Sequence, residues 1–254
     1  GALTPQADRG HEEGADPYPG RTLNPHFVSP ALDRLLNGEP ISAVISLVLG
    51  AEALPFQTIA GHKGSEQLAH SDSIHMTTYP LGYLAATWTA FEDIDLDSGP
   101  LEYYPGSHKL EYALSREVGI DVEEARRGYE PYHAKYEPFV QEQIRSRGLE
   151  PSYFNASKGD VLIWHAHLLH GGSPRRNKQL SRKALVCHYF AKGCVCYHDF
   201  SGNLSHLHAP RVERKHFNDA EYLAANPDVA AAGEDAWVHY TAFGYDERRP
   251  LRPM

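Results

Sequence analysis

Hydrophobic positions change their spacing near residue 56, and that change divides the chain. Between Pro30 and Leu49 apolar residues recur at helical intervals (Leu32, Leu35, Leu36, Ile41, Val44, Ile45, Val48), with Ser29-Pro30 as a start signal and Gly50 as a stop. One or two helices are expected there. From Phe56 onward the texture becomes short runs of Thr, Tyr, Ile and Val separated by Gly, Pro, Asp and Ser. These runs predict strands over 56–62, 69–78, 83–92, 101–104, 161–169 and 184–191. Residues 122–147 interrupt them with helical character, many charges and several aromatics, as expected of an insertion that walls a pocket. Helices followed by many short strands predict a mainly β fold with flanking helices, a double-stranded β-helix or jelly roll of the cupin kind. A parallel α/β fold would need helices alternating regularly with strands, and they do not alternate.

Two shifts in texture suggest boundaries. Residues 1–20 are acidic and rich in Gly and Pro, and residues 1–29 read as a flexible lead-in to a β domain over 30–210. Residues 211–254 read as a small helical module, punctuated by Asn226-Pro227 and Gly233.

Composition narrows the class. A formal net charge of −9 argues against a protein that binds nucleic-acid phosphate or anionic membrane. The most apolar stretch, 41–56, is broken by Ser42, Ser46, Gly50 and Glu52, so no membrane span is expected. The start has neither the basic nor the apolar part of a signal peptide. Three cysteines without a framework of spacings suggest reduced thiols and a cytoplasmic protein, and Cys194-Val-Cys196 reads as strand residues that pack. The expected partner is a small-molecule substrate; the oligomeric state is not legible.

Sixteen histidines prompt a search for a metal site. A mononuclear iron(II) oxygenase needs two imidazoles and one carboxylate on one face, leaving the opposite face open. His70-Ser71-Asp72 suits this, since residues i and i+2 of a strand point the same way. A lone triplet of this kind arises by chance, as in His11-Glu12-Glu13, and its plain reading is a surface pair on a half-exposed strand. The second half of the pattern is Gly159-Asp160, the apolar run 161–164, then His165-Ala-His167-Leu-Leu-His170-Gly-Gly-Ser173. The Gly pair after His170 would let the backbone bend sharply beside a metal. His165, His167 and His188 compete with His170 for the role. Arg182, twelve residues on, could pair bidentately with a distal carboxylate.

Four motifs in order carry a family resemblance: Gly64 to Asp72, Trp88 to Ile94, Ser98 to His108 with its Pro105-Gly106 turn, and Gly159 to Lys183. Together they resemble the phytanoyl-CoA dioxygenase (PhyH) family over about residues 56–191. The resemblance implies a double-stranded β-helix using Fe(2+), 2-oxoglutarate and O2, with succinate and CO2 as co-products. It implies His70, Asp72 and His170 as ligands and Arg182 as the 2-oxoglutarate clamp. Members often carry a hydroxyl residue two places after the distal histidine; Gly172 stands there, so Ser173 or a backbone N–H is expected to substitute. Gln57 is a further candidate for the co-substrate, and Trp88 and Tyr104 for the substrate pocket, with Tyr103 and the insertion's Tyr129, Tyr132, Tyr136 and Phe139. Related halogenases replace the carboxylate, so Asp72 favours hydroxylation. The stretch Tyr222 to Ala230 resembles short helical repeats appended to bacterial proteins, which implies a bacterial source. Two rival readings are a non-catalytic cupin-like module for sensing or carbohydrate binding, and a zinc hydrolase. Neither has need of Arg182.

Overall fold

The computed structural model describes residues 5–6, 21–27, 29–200, 214, 217–244 and 249–251. The expected helical stretch forms two helices, α1 (Pro30–Leu36) and α2 (Glu39–Leu49). Ser29 caps α1 by accepting the Leu32 N–H on its hydroxyl, and Pro40 in the first turn of α2 restarts the helix after Asn37-Gly38. Gly50 closes α2 at φ +70°, and its N–H reaches the Leu47 and Ser46 carbonyls. Ile45 and Leu49 pack beneath on Ala53, Leu185 and Tyr189, whereas Val44, Leu47 and Val48 face outward, so only part of the apolar pattern is core.

A six-stranded antiparallel sheet carries the fold. Its order is β1 (Pro5–Gln6), β2 (Arg21–Leu23), β3 (Ala53–Gly61), β10 (Ala184–Ala191), β5 (Leu84–Ala90) and β8 (Val161–His165). A three-stranded sheet joins β7 (Ser152–Tyr153), β6 (Leu101–Tyr103) and β9 (His170–Gly172), and β4 (Thr77–Tyr79) pairs with β11 (Val195–Tyr197). Ala86, Trp88 and Trp164 of the large sheet pack against Leu101 of the smaller one. This apolar layer supplies the main driving force for joining the sheets.

Three expectations change. Residues 69–78 are not one strand: His70 forms an isolated bridge to His170, Asp72–Ile74 is a 3-10 turn, and β4 follows. Ser71 explains the break, because its hydroxyl accepts the Ser73 N–H and so offers the backbone an alternative to a ladder. Residues 161–169 likewise divide, β8 ending at His165; Leu168 donates its N–H to the His165 carbonyl and closes a turn before β9. Part of the expected lead-in is sheet, since β2 pairs with β3 and β1 with β2.

The insertion comprises α3 (Val122–Arg127), a π-helical turn over Tyr132–Tyr136 and α4 (Glu137–Ser146). Tyr132, Tyr136 and Val140 pack with Ile74, Leu169 and Phe200, roofing one end of the sheets. All three cysteines are free thiols; burial pushes Cys187 up to about 11 and Cys196 up to about 12, which suits packing rather than metal ligation. Toward the C-terminus α5 (Asp219–Ala225), α6 (Pro227–Ala231) and α7 (Ala236–His239) bury Phe217, Tyr222, Val229 and Tyr240 among themselves. No helix among the described residues is long and apolar enough to cross a membrane.

The glycines after His170 have a purpose other than bending. Neither adopts a positive φ. Instead β9 runs so close to the segment before His70 that a Cβ on Gly171 would stand 2.7 Å from the Gln67 carbonyl oxygen and 3.1 Å from the Ala69 nitrogen. Gly171→Ala must therefore push the two segments apart, at about 1–3 kcal/mol. Thermal unfolding of this variant should show a clear fall in Tm; an unchanged Tm would mean the close approach tolerates a methyl group.

Candidate metal centre

Two chain segments far apart in sequence are tied together by backbone. The His70 N–H donates to the His170 carbonyl and the His170 N–H to the His70 carbonyl, both at 2.9 Å. Each imidazole is then oriented in the same way. His70 Nδ1 lies 2.9 Å from the Leu68 carbonyl, and His170 Nδ1 lies 2.9 Å from the Leu168 carbonyl. A carbonyl only accepts, so both rings carry their proton on Nδ1 and present the Nε2 lone pair to the space between them. The ring centroids stand 4.6 Å apart.

Asp72 completes the group. As the first residue of the 3-10 turn it points inward, with Oδ1 3.6 Å from His170 Nε2. Its other oxygen accepts the indole N–H of Trp164 at 3.0 Å. The Ser71 N–H beside it donates to the Tyr136 hydroxyl at 3.0 Å, so the insertion braces this segment. One donor atom from each of His70, Asp72 and His170 lies within 4.8 Å of the others, and all three residues are buried. Burial, helped by repulsion from His170, drives the His70 pKa down to about 3. Burial also opposes the charge on Asp72, but His170, His188 and His70 together outweigh it and hold the carboxyl below its usual range. Neutral imidazoles with one carboxylate form the donor set of a 2-His-1-carboxylate metal site.

The rival histidines are engaged elsewhere. His165 Nδ1 accepts the His167 N–H at 3.0 Å, and its Nε2 contacts the Gly82 carbonyl at 3.2 Å. His167 stacks on Tyr112 with centroids 4.0 Å apart and reaches the Leu110 and Glu111 carbonyls through Nε2. His188 instead faces the same cavity as the triad.

That cavity also receives Trp88 and Arg182. Arg182 lies two residues before β10, not within it, and is 6% exposed. Nη1 donates to the Gly99 carbonyl at 3.0 Å, and Cζ stands 5.6 Å over the Trp88 ring, which fixes the guanidinium against the cavity wall. Its neighbour Lys183 turns outward to Glu92 at 3.0 Å. Gln57 shares a face of β3 with Ile59, which lines the cavity, and its Oε1 is buried without a hydrogen-bond partner among the described residues. Ser173 and Tyr104 do not join the group. The Ser173 hydroxyl is spent on the Pro100 carbonyl at 2.8 Å, and Tyr104 is buried in the cluster under the insertion.

Two contributors were not foreseen. Arg21 of β2 lines the cavity, its guanidinium donating to the Gln67 side chain. Only strand pairing brings it there, so no local signal marked it. Trp164 was visible as the end of an apolar run, but its contact with Asp72 needed the register of β8 with β5.

The family model for phytanoyl-CoA dioxygenase (PhyH) matches residues 8–184. The chain belongs to this family. Among curated PhyH relatives, the peroxisomal phytanoyl-CoA dioxygenase of Mus musculus is 29% identical over 148 residues, 56% of this chain and 38% of the mouse protein. That of Homo sapiens is 26% identical over 135 residues, 53% of this chain and 36% of the human protein. The matched region thus spans less than half the length of these relatives. The fold also matches solved structures. The epimerase SnoN from nogalamycin biosynthesis, in complex with Fe3+, alpha ketoglutarate and nogalamycin RO, superposes with a TM-score of 0.54 at 16% identity, covering 78% of this chain and 73% of that one. EctD from S. alaskensis with bound Fe gives 0.54 at 20% identity, covering 76% and 66%. The double-stranded β-helix is therefore the fold of this PhyH member.

His70→Ala and His170→Ala should abolish tight iron(II) binding, and Trp164→Phe should weaken it by roughly ten- to a hundred-fold by freeing the carboxylate to rotate. His167→Ala should bind iron like the parent. Equilibrium iron(II) titration without oxygen measures all four; normal binding by His170→Ala would remove it from the ligand set.

Proposed function

We propose that this chain is an iron(II)- and 2-oxoglutarate-dependent dioxygenase that hydroxylates an unactivated C–H bond of a small organic substrate. The observation that carries this reading is one cavity holding a buried His70–Asp72–His170 set and the Arg182 guanidinium. The residues fit the group they would hold. The donor set is that of a mononuclear iron site, and the ring nitrogens of His188, which lines the cavity, are buried without hydrogen-bond partners among the described residues.

In this reading His70 and His170 bind iron through Nε2 and Asp72 through Oδ1, while Trp164 keeps Oδ2 turned away. Bound iron supplies the dioxygen chemistry that couples decarboxylation of 2-oxoglutarate, giving succinate and CO2, to insertion of one oxygen atom into a substrate C–H bond. Arg182 binds the distal carboxylate of 2-oxoglutarate through its planar fork, and the indole of Trp88 holds that fork in place. Trp88, Leu101, Ile59 and Val186 exclude water from the co-substrate. The His75 ring lies 6.2 Å from that of His70, 5.0 Å from Tyr132 and 5.9 Å from Tyr129, which is half exposed. This part of the insertion supplies the substrate wall, while the fully buried Tyr136 braces Ser71.

The epimerase SnoN and the carbocyclase SnoK from nogalamycin biosynthesis share this fold, so product analysis is needed to distinguish outcomes. Candidate acyl thioesters and carboxylic acids should be screened for substrate-stimulated succinate formation, with the product gaining one oxygen atom. A product of unchanged composition would replace hydroxylation with isomerisation. Iron and 2-oxoglutarate binding without turnover on any substrate would favour a sensing module.

Arg182→Ala should weaken 2-oxoglutarate binding by about 2–5 kcal/mol, roughly thirty-fold or more, because a buried carboxylate loses its partner. Lysine should restore only part of this. Lys183→Ala should bind like the parent. A 2-oxoglutarate titration in which Arg182→Ala matches the parent would reassign the clamp. The C-terminal helices, whose core is built from their own residues, are proposed to be a separate module. A chain ending at residue 213 should keep iron and 2-oxoglutarate binding; loss of both in a folded truncation would place the module at the site.

A further inference from the structure

Among the described residues, His188 is the one cavity-facing histidine that neither the ligand set nor the packing accounts for. It is 2% exposed, and neither ring nitrogen has a hydrogen-bond partner among the described residues. Across the ladder its register partner on β3 is Gln57, whose buried Oε1 is also unpartnered. An imidazole buried this deeply is unfavourable unless something satisfies it, and an apolar side chain against Phe56 would avoid that penalty. Its Nε2 faces Asp72 Oδ2 at 3.8 Å, too long for a hydrogen bond but close enough to place the ring beside the metal-binding carboxylate.

Position along β10 supplies the rest. Arg182 folds back so that its guanidinium lies over Trp88, and Trp88 stands opposite Val186. His188 is two residues beyond Val186 on the same face, about 6–7 Å along the strand. Val186 and His188 both line the cavity. The terminal carbons of an extended five-carbon dicarboxylate are roughly 5 Å apart, from four C–C bonds near 1.5 Å. A chain of that length with one carboxylate on Arg182 brings its other end to His188.

We propose that His188 is a co-substrate-binding residue: its ring N–H donates to the 2-oxo carboxylate end of 2-oxoglutarate, opposite the end held by Arg182. This rests on the 2-oxoglutarate reading above. The strand would then measure its ligand, with a guanidinium at one end and an imidazole at the other.

The test is anaerobic titration of the iron(II)-loaded full chain with two probes, 2-oxoglutarate and pyruvate. Pyruvate keeps the 2-oxo carboxylate and lacks the distal one. His188→Phe, which fills the space without a donor, should lose roughly tenfold or more in affinity for both probes. His188→Gln, which keeps an N–H donor, should recover much of that loss. Arg182→Ala should weaken 2-oxoglutarate and leave pyruvate unaffected. Iron(II) binding measured without either probe should be unchanged in both His188 variants.

The proposal is overturned if His188→Phe titrates both probes like the parent, or weakens 2-oxoglutarate alone. It is also overturned if His188→Gln is as weak as His188→Phe, or if either variant loses iron itself, which would make His188 a ligand. Should the parent fail to bind 2-oxoglutarate at all, the functional reading falls and this inference with it. A parent that binds while His188→Phe is unaffected removes the inference alone.

Discussion

The reciprocal pair of backbone hydrogen bonds between His70 and His170 is the constraint on which the site depends. Neither residue lies deep within a long strand, so side-chain packing alone would not set their separation. The bridge does so, and it needs β9 to approach residues 67–69 more closely than any Cβ permits, hence Gly171. Once the backbones are joined, carbonyls of Leu68 and Leu168 choose the tautomer of each ring, and the Nε2 lone pairs converge without further adjustment. Asp72 then meets them from a turn that Ser71 caps and Tyr136 holds.

Around this bridge the rest of the molecule divides its labour. The large sheet forms one side: β10 lies between β3 and β5, and carries Val186 and His188, while Arg182 precedes it. The insertion packs against the segment that follows Asp72, where Tyr129 and His75 meet. Burial and fixed hydrogen bonds hold the candidate metal set in place, so that in the proposed reading little reorganisation would be needed on binding. Trp164 is part of that preparation, since an indole N–H on one carboxylate oxygen leaves the other to face the histidines.

Much of this was legible in the sequence, and the exceptions have physical causes. β10 was read with the bounds it has, because an apolar run flanked by charged residues leaves a strand little freedom to shift. The helical start, the insertion and the order of the PhyH motifs were legible for similar reasons. His70 and Asp72 were expected to share a strand face, yet they converge through a bridge and a turn. Periodicity does not register a Ser that caps its own turn. Ser173 and Tyr104 were placed by residue type and proximity in sequence, but their polar groups and rings satisfy local structure instead. Arg21 was invisible because its place depends on pairing with Gly61 of β3, forty residues later. His188 was noticed only as a competing ligand; its unpartnered nitrogens emerge from three-dimensional packing alone.

In the proposed reading one cavity holds both iron and 2-oxoglutarate. The most direct measurement is visible absorption of the parent chain during stepwise addition of iron(II) and then 2-oxoglutarate, without oxygen. One iron should bind per chain, and a weak visible band should develop only when 2-oxoglutarate follows and saturate with it. Iron that binds without any band on adding 2-oxoglutarate, or no iron bound at all, would contradict the account.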